Sequence, residues 1–162
     1  MSAKTYSLVT ETEVLLIERE IQRLLITFAH KMDDGQFSEV AELFQHAEYD
    51  AKGIKSVGRD SVENFFNITV QRNADGTPGT LHSITNVAVT IDPLGDSASS
   101  LSYYTVHQRI EGAPLEPVAA GRWHDTFELC NGEWRFKSHV DEPRLMDRAP
   151  PLNGATPYDQ SR

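Results

Sequence analysis

Cysteine is nearly missing from this chain: Cys130 is its sole representative among 162 residues. No disulfide can form within the chain, so packing alone must hold the fold. Cys130 stands just before Asn131-Gly132, a hairpin turn signal, and reads as a spare thiol at a strand end. Basic residues are also in short supply, with 15 Lys and Arg against 24 Asp and Glu, a net charge of −9. Such a surface repels phosphate backbones and anionic lipid, so neither nucleic acid nor membrane is expected as a partner. No stretch reaches eighteen consecutive apolar residues, which excludes a spanning helix. The N-terminus carries no basic stretch followed by an apolar run, so no signal peptide is expected, and a reducing, cytoplasmic setting fits. His-x-x-x-His, cysteine pairs, a phosphate-binding glycine loop and a Gly-x-Ser-x-Gly elbow are all absent. The expectation is therefore no metal and no cofactor.

What is present suits one domain, with 39% hydrophobic and 24% charged residues. Residues 1–9 read as a flexible arm. Thr10-Glu11-Thr12-Glu13 is a capping box, and Val14, Ile17, Ile21, Leu24 and Phe28 follow at helical spacing to about Met32. Asp34-Gly35 breaks that helix. A short second helix carries Phe37, Val40, Leu43 and Phe44, and residues 47–52 read as a short strand. Asp60-Ser61-Val62-Glu63 reads as a second capping box, opening a third helix. The period then switches to two, with strands over 81–91, 99–110, 118–130 and 133–140 and a type I′ turn at Asn131-Gly132. Residues 143–162, with Pro150-Pro151, read as a tail. Helices followed by an antiparallel meander make an α+β domain, here residues 10–142, in which a strongly curved sheet would enclose a cone-shaped cavity.

Two residues about fifty positions apart carry most of the functional signal. Asp33 closes the first helix, where the macrodipole disfavours a negative charge. His82 opens a long strand, on a face that alternation assigns to His82, Ile84, Asn86 and Ala88. A carboxylate bonded to an imidazole is a general base held in one tautomer. Further along, Trp123, Asp125, Phe127 and Leu129 share a face, and Asp125 on that otherwise apolar face needs a partner. Tyr49, Tyr103 and His107 are further polar candidates for a pocket wall, although each also fits a core-edge role.

The order of these elements resembles the nuclear transport factor 2-like cone-shaped α+β barrel, and within it the SnoaL-like group that includes scytalone dehydratase and hexachlorocyclohexane dehydrochlorinase. The resemblance spans roughly residues 10–142 and rests on Met32-Asp33-Asp34-Gly35, Val57-Gly58-Arg59-Asp60, Leu81-His82 with Thr85-Asn86, Ala120-Gly121-Arg122-Trp123-His124-Asp125 and Asn131-Gly132-Glu133-Trp134-Arg135-Phe136. It implies that Asp33 and His82 form a catalytic pair. The tyrosine that precedes this aspartate in scytalone dehydratase is Met32 here, and an arginine frequent after the Trp-Arg motif is His139. The resemblance further implies a cofactor-independent lyase of the dehydratase type, acting on a small, hydrophobic, ring-bearing molecule, with Tyr49, Asn86, Tyr103, His107, Trp123, Asp125 and Phe127 around the substrate. An isomerase or cyclase on the same pair, or a non-catalytic small subunit like that of ring-hydroxylating dioxygenases, is the alternative. Self-association, as a trimer or a dimer, is expected in either case.

Overall fold

In the computed structural model, residues 8–109, 112 and 114–146 are described. The chain opens with helix α1 (Glu11–Asp33), capped as the sequence predicts: the Thr10 hydroxyl accepts from the Glu13 amide, and the Glu13 carboxylate accepts from the Thr10 amide. Ile17, Ile21, Leu25, Phe28 and Met32 form its buried stripe. Helix α2 (Phe37–Leu43) and helix α3 (Arg59–Thr69) flank two short strands, β1 (Glu48–Ala51) and β2 (Ile54–Val57). The cap of α3 is Gly58 in the left-handed region at φ 77°, with no side-chain cap bond. The box expected at Asp60 is therefore absent, and Asp60 sits inside the first turn.

Four long strands follow: β3 (Thr80–Ile91), β4 (Ser97–Gln108), β5 (Glu116–Cys130) and β6 (Glu133–Met146). The sheet order is β2-β1-β6-β5-β4-β3. Every neighbouring pair is antiparallel except β1 and β6, which run parallel and bring Tyr49 beside His139. Asn131 and Gly132 take φ values of 53° and 86°, as a type I′ hairpin turn requires. Strand β6 continues through Pro143 to Met146, so residues 143–146 pair with β5 and are not tail. At the other end, the Val9 amide donates to the Pro93 carbonyl and its side chain packs on the core, so position 9 is not part of a free arm. Leu8 of the expected arm is exposed, and residues 1–7 and 147–162, including Pro150-Pro151, lie outside the described residues. Among those described, no helix is long and apolar enough to cross a membrane.

The helices pack on one face of the curved sheet, and the core between them is rich in rings. Phe28 meets Trp123 edge-on at 5.2 Å between centroids, and Phe44 stacks on Phe136 at 4.9 Å. Four bulges decide what else enters that core. The register slips between Thr85 and Ala88 in β3, at Val118 in β5, and at Lys137 and Arg144 in β6. Each extra residue reverses the in–out alternation beyond it.

Candidate functional site

Asp33 ends α1 facing the first residues of β3, and β3 closes around it. The Thr80 hydroxyl donates to Asp33 Oδ1 at 2.8 Å, the His82 amide donates to Oδ2 at 2.8 Å, and His82 Nδ1 lies 2.5 Å from Oδ1. Gly79 makes this approach possible. At φ 65° its added Cβ would stand 2.2 Å from the Arg109 carbonyl oxygen, so no side chain fits there. Burial pushes the Asp33 carboxyl up, but the His82 and Thr80 bonds outweigh it and hold the group below its ordinary value. With Nδ1 committed to Asp33, the His82 Nε2 is the nitrogen available to a ligand. The pair is nearly but not fully enclosed, at 11% side-chain exposure for His82 and 13% for Asp33.

Around it the inner face of the sheet is layered in rows across the strands. Tyr104, Gly121 and Pro143 form one row; Ser102, Trp123 and Asp141 the next; Ser100, Asp125, His139 and Tyr49 the third. Trp123 lies 6.1 Å from the His82 ring and stacks on Tyr104 at 5.1 Å. Asp125, the carboxylate that needed a partner, has one: its Oδ1 lies 2.7 Å from His139 Nδ1, and the Ser100 hydroxyl donates to its Oδ2 at 3.3 Å. Tyr49 stacks on His139 at 4.9 Å and 9°. Burial pushes the Tyr49 phenol up. The Asp141 carboxyl is also raised, because burial outweighs its hydrogen bond with Tyr104 and the nearby His139, Lys52 and His82. Phe127 is buried deeper, against Phe136.

Asp33, His82, Tyr49, Trp123, Asp125 and Phe127 thus all lie on the interior side. Asn86, Tyr103 and His107 do not. Asn86 occupies the β3 bulge at φ 52° and is exposed, so the face read by strict alternation holds only as far as Ile84; Val87, Val89 and Ile91 pack inward beyond it. On β4 the even positions are buried, which turns Tyr103 and His107 outward, where Arg122 donates to the Tyr103 hydroxyl at 3.2 Å. Sequence reasoning missed Tyr104, His139 and Asp141. The signal for Tyr104 was weak, because β4 carries polar residues on both faces. For His139 and Asp141 the Lys137 bulge hides it: alternation from buried Phe136 would send Ser138 and Val140 inward.

Two concavities open outside the cone. One of about 250 Å³ runs between Gly35, Phe37, Glu63 and Arg72. The other, about 520 Å³, lies on the outer sheet face between Ala88, Leu101, His124 and Val140. Neither contains Asp33 or His82. No three His, Cys, Asp or Glu side chains among the described residues converge as a metal site.

The family model of the SnoaL-like domain matches residues 13–140. No curated protein matches the chain in sequence. Among solved structures, a candidate scytalone dehydratase from Novosphingobium aromaticivorans DSM 12444 superposes at a TM-score of 0.72 with 21% identity, covering 94% of this chain and all 100% of that one. The beta subunit of a candidate aromatic-ring-hydroxylating dioxygenase from the same organism gives 0.69 at 19% identity, over 89% and 98% of the two chains. An NTF2-like protein with a cystatin-like fold, from Novosphingobium aromaticivorans, gives 0.65 at 20% identity, over 80% and 83%. At these identities the likeness establishes the fold: three helices on a curved, mostly antiparallel six-stranded sheet.

Proposed function

The chain belongs to the SnoaL-like domain family, and from that premise we propose that it is a cofactor-independent lyase of the dehydratase type, with Asp33 and His82 as its general base. The observation that carries this reading is the 2.5 Å contact between His82 Nδ1 and Asp33, reinforced by the bond from the His82 amide to the same carboxylate. Asp33 fixes the imidazole in one tautomer and one orientation. His82 Nε2 removes a proton from a carbon next to a carbonyl, and the imidazolium returns it to the hydroxyl leaving from the neighbouring carbon. A base of this kind contributes roughly 10²–10⁴-fold. Trp123 gives the site an aromatic wall, which suits a small hydrophobic molecule bearing a ring. An isomerase or cyclase would share the proton abstraction and differ only in the fate of the carbanion.

Turnover of cyclic β-hydroxy ketones, followed by the absorbance of the enone, tests the reading. His82→Ala and Asp33→Asn should each lose most activity while retaining native circular dichroism. Wild-type activity in either variant rules the base out.

A second reading, a non-catalytic small subunit, is supported by the fold shared with the beta subunit of a candidate aromatic-ring-hydroxylating dioxygenase. Recovery of the chain bound to a large iron–sulfur subunit would support it. In both readings the chain self-associates, with a trimer as the first expectation and a dimer as the second. Leu81 and Leu145, 62% and 71% exposed on the outer face of the sheet, favour such contact. A cytoplasmic location completes the proposal.

A further inference from the structure

Three hydrogen bonds hold the Asp33 carboxylate, and two of them come from the base that it orients. The His82 ring meets Oδ1 and the His82 amide meets Oδ2. Among the described residues the third donor is Thr80, whose hydroxyl also meets Oδ1, at 2.8 Å. The mechanism proposed above gives that hydroxyl no task. A carboxylate oxygen has two lone pairs, so Thr80 and the His82 ring together fill Oδ1.

Thr80 stands two residues before His82 in β3, and the pleat turns both side chains to the same face. Its backbone is fixed from both sides. Thr80 pairs with Gln108 of β4. Just before it, the Gly79 carbonyl accepts from the Arg109 amide at 2.8 Å, and the Pro78 carbonyl accepts from the Gln108 side chain at 3.0 Å. Pro78 itself is fully buried. A β-branched side chain on so constrained a backbone has few rotamers, so the hydroxyl is aimed at Asp33 before any ligand arrives.

What this does to the pair follows from charge. His82 is a base at Nε2 only while the hydrogen it shares with Asp33 stays on Nδ1. A second donor on Oδ1 draws off part of the carboxylate charge and makes that oxygen a weaker acceptor of the shared hydrogen. Burial works the other way and raises the Asp33 carboxyl, and the bonds from His82 and Thr80 together overcome it.

We infer that Thr80 is a positioning residue of the pair: it occupies Asp33 Oδ1 so that the shared hydrogen stays on His82 Nδ1 and Nε2 keeps its lone pair for the substrate. The inference rests on the proton abstraction proposed for His82. Thr80 acts through Asp33 and touches no reacting atom.

Substitutions at Thr80, assayed on the β-hydroxy ketones, test it. Thr80→Val exchanges the hydroxyl for a methyl group of nearly the same size. It should lower kcat by on the order of tenfold or more while KM stays within about twofold. Thr80→Ser keeps the hydroxyl and should recover most of the rate. In nitrogen NMR of the labelled protein, the His82 Nδ1 resonance, assigned by its loss in His82→Ala, should move toward the unprotonated position in Thr80→Val and return in Thr80→Ser. Should Thr80→Val fail to fold, Thr80→Ala set against Thr80→Ser reads the same hydroxyl. A role in stability alone would lower Tm and leave kcat and the resonance of the folded protein in place. With His82→Ala inactive, a kcat within about twofold of wild type in the variant without the hydroxyl, or a resonance that does not move there, overturns the inference and leaves the base standing. Full turnover in His82→Ala removes the base instead, and the resonance then decides alone whether Thr80 keeps the hydrogen on Nδ1.

Discussion

Replacing Asp33 by alanine should cost far more than a helix-terminal carboxylate ordinarily would. At the C-terminus of α1 the macrodipole works against its charge by about 0.3–1 kcal/mol. Three hydrogen bonds from β3 oppose that, and each bond to a charged group contributes about 1.5–3 kcal/mol. The bonds win by a wide margin, and Asp33→Ala leaves the His82 amide, the His82 ring and the Thr80 hydroxyl to find water in a nearly enclosed place. Because the site keeps some solvent contact, part of the loss is recovered, and a net destabilisation of about 2–4 kcal/mol is expected. For a chain of this size that lowers Tm by roughly 5–15 °C. The pH dependence has a definite sign. The folded Asp33 carboxyl lies below its ordinary value, so its contribution is complete above the unfolded carboxylate range and disappears as pH falls through the folded value. The gap in stability between wild type and Asp33→Ala should therefore be widest near neutrality and close as the solution is acidified below about pH 4. Urea denaturation across that range measures it. A loss below about 0.5 kcal/mol, or a gap that stays constant down to acid pH, would refute the reasoning.

Two further outcomes concern the rows beside the dyad. Gly121→Ala brings a methyl group to 2.4 Å from the Glu142 carbonyl oxygen and 2.8 Å from Pro143 Cα, so it should destabilise by about 1–3 kcal/mol in thermal melts and shift the fluorescence of neighbouring Trp123. Asp125→Ala strips the enclosed His139 of its Nδ1 partner while Nε2 already has none, so a loss of about 3–5 kcal/mol is expected in denaturant titrations.

Much of this arrangement is legible in the sequence, and what is not has particular causes. The Thr10 capping box, the helical stripe through Ile17, Ile21 and Phe28 and the Asn131-Gly132 turn are local chemistry, and each stands where the sequence predicts, while Val14 and Leu24 of that stripe are only half-buried. Asp33 and His82 are also local signals: a charge at the wrong end of a helix, and a histidine at the start of a strand. Their meeting is tertiary, and only the resemblance to a known family pairs them in advance. Bulges account for most of the rest. The extra residue at Asn86 takes that side chain out of the interior, and the one at Lys137 turns His139 and Asp141 into it, because an inserted residue inverts a period-two pattern without leaving a compositional mark. The parallel pairing of β1 with β6 joins residues some ninety positions apart, beyond the reach of any spacing rule, and it sets Tyr49 against His139.

The central claim is that His82, oriented by Asp33, removes a proton from carbon. Deuterium uptake from D₂O at the α-carbon of a bicyclic aryl ketone with no leaving group, followed by proton NMR, tests that step alone. The account predicts that the wild-type protein accelerates uptake and that His82→Ala and Asp33→Asn lose roughly 10²–10⁴-fold of that rate. Uptake at the wild-type rate in folded His82→Ala would contradict it.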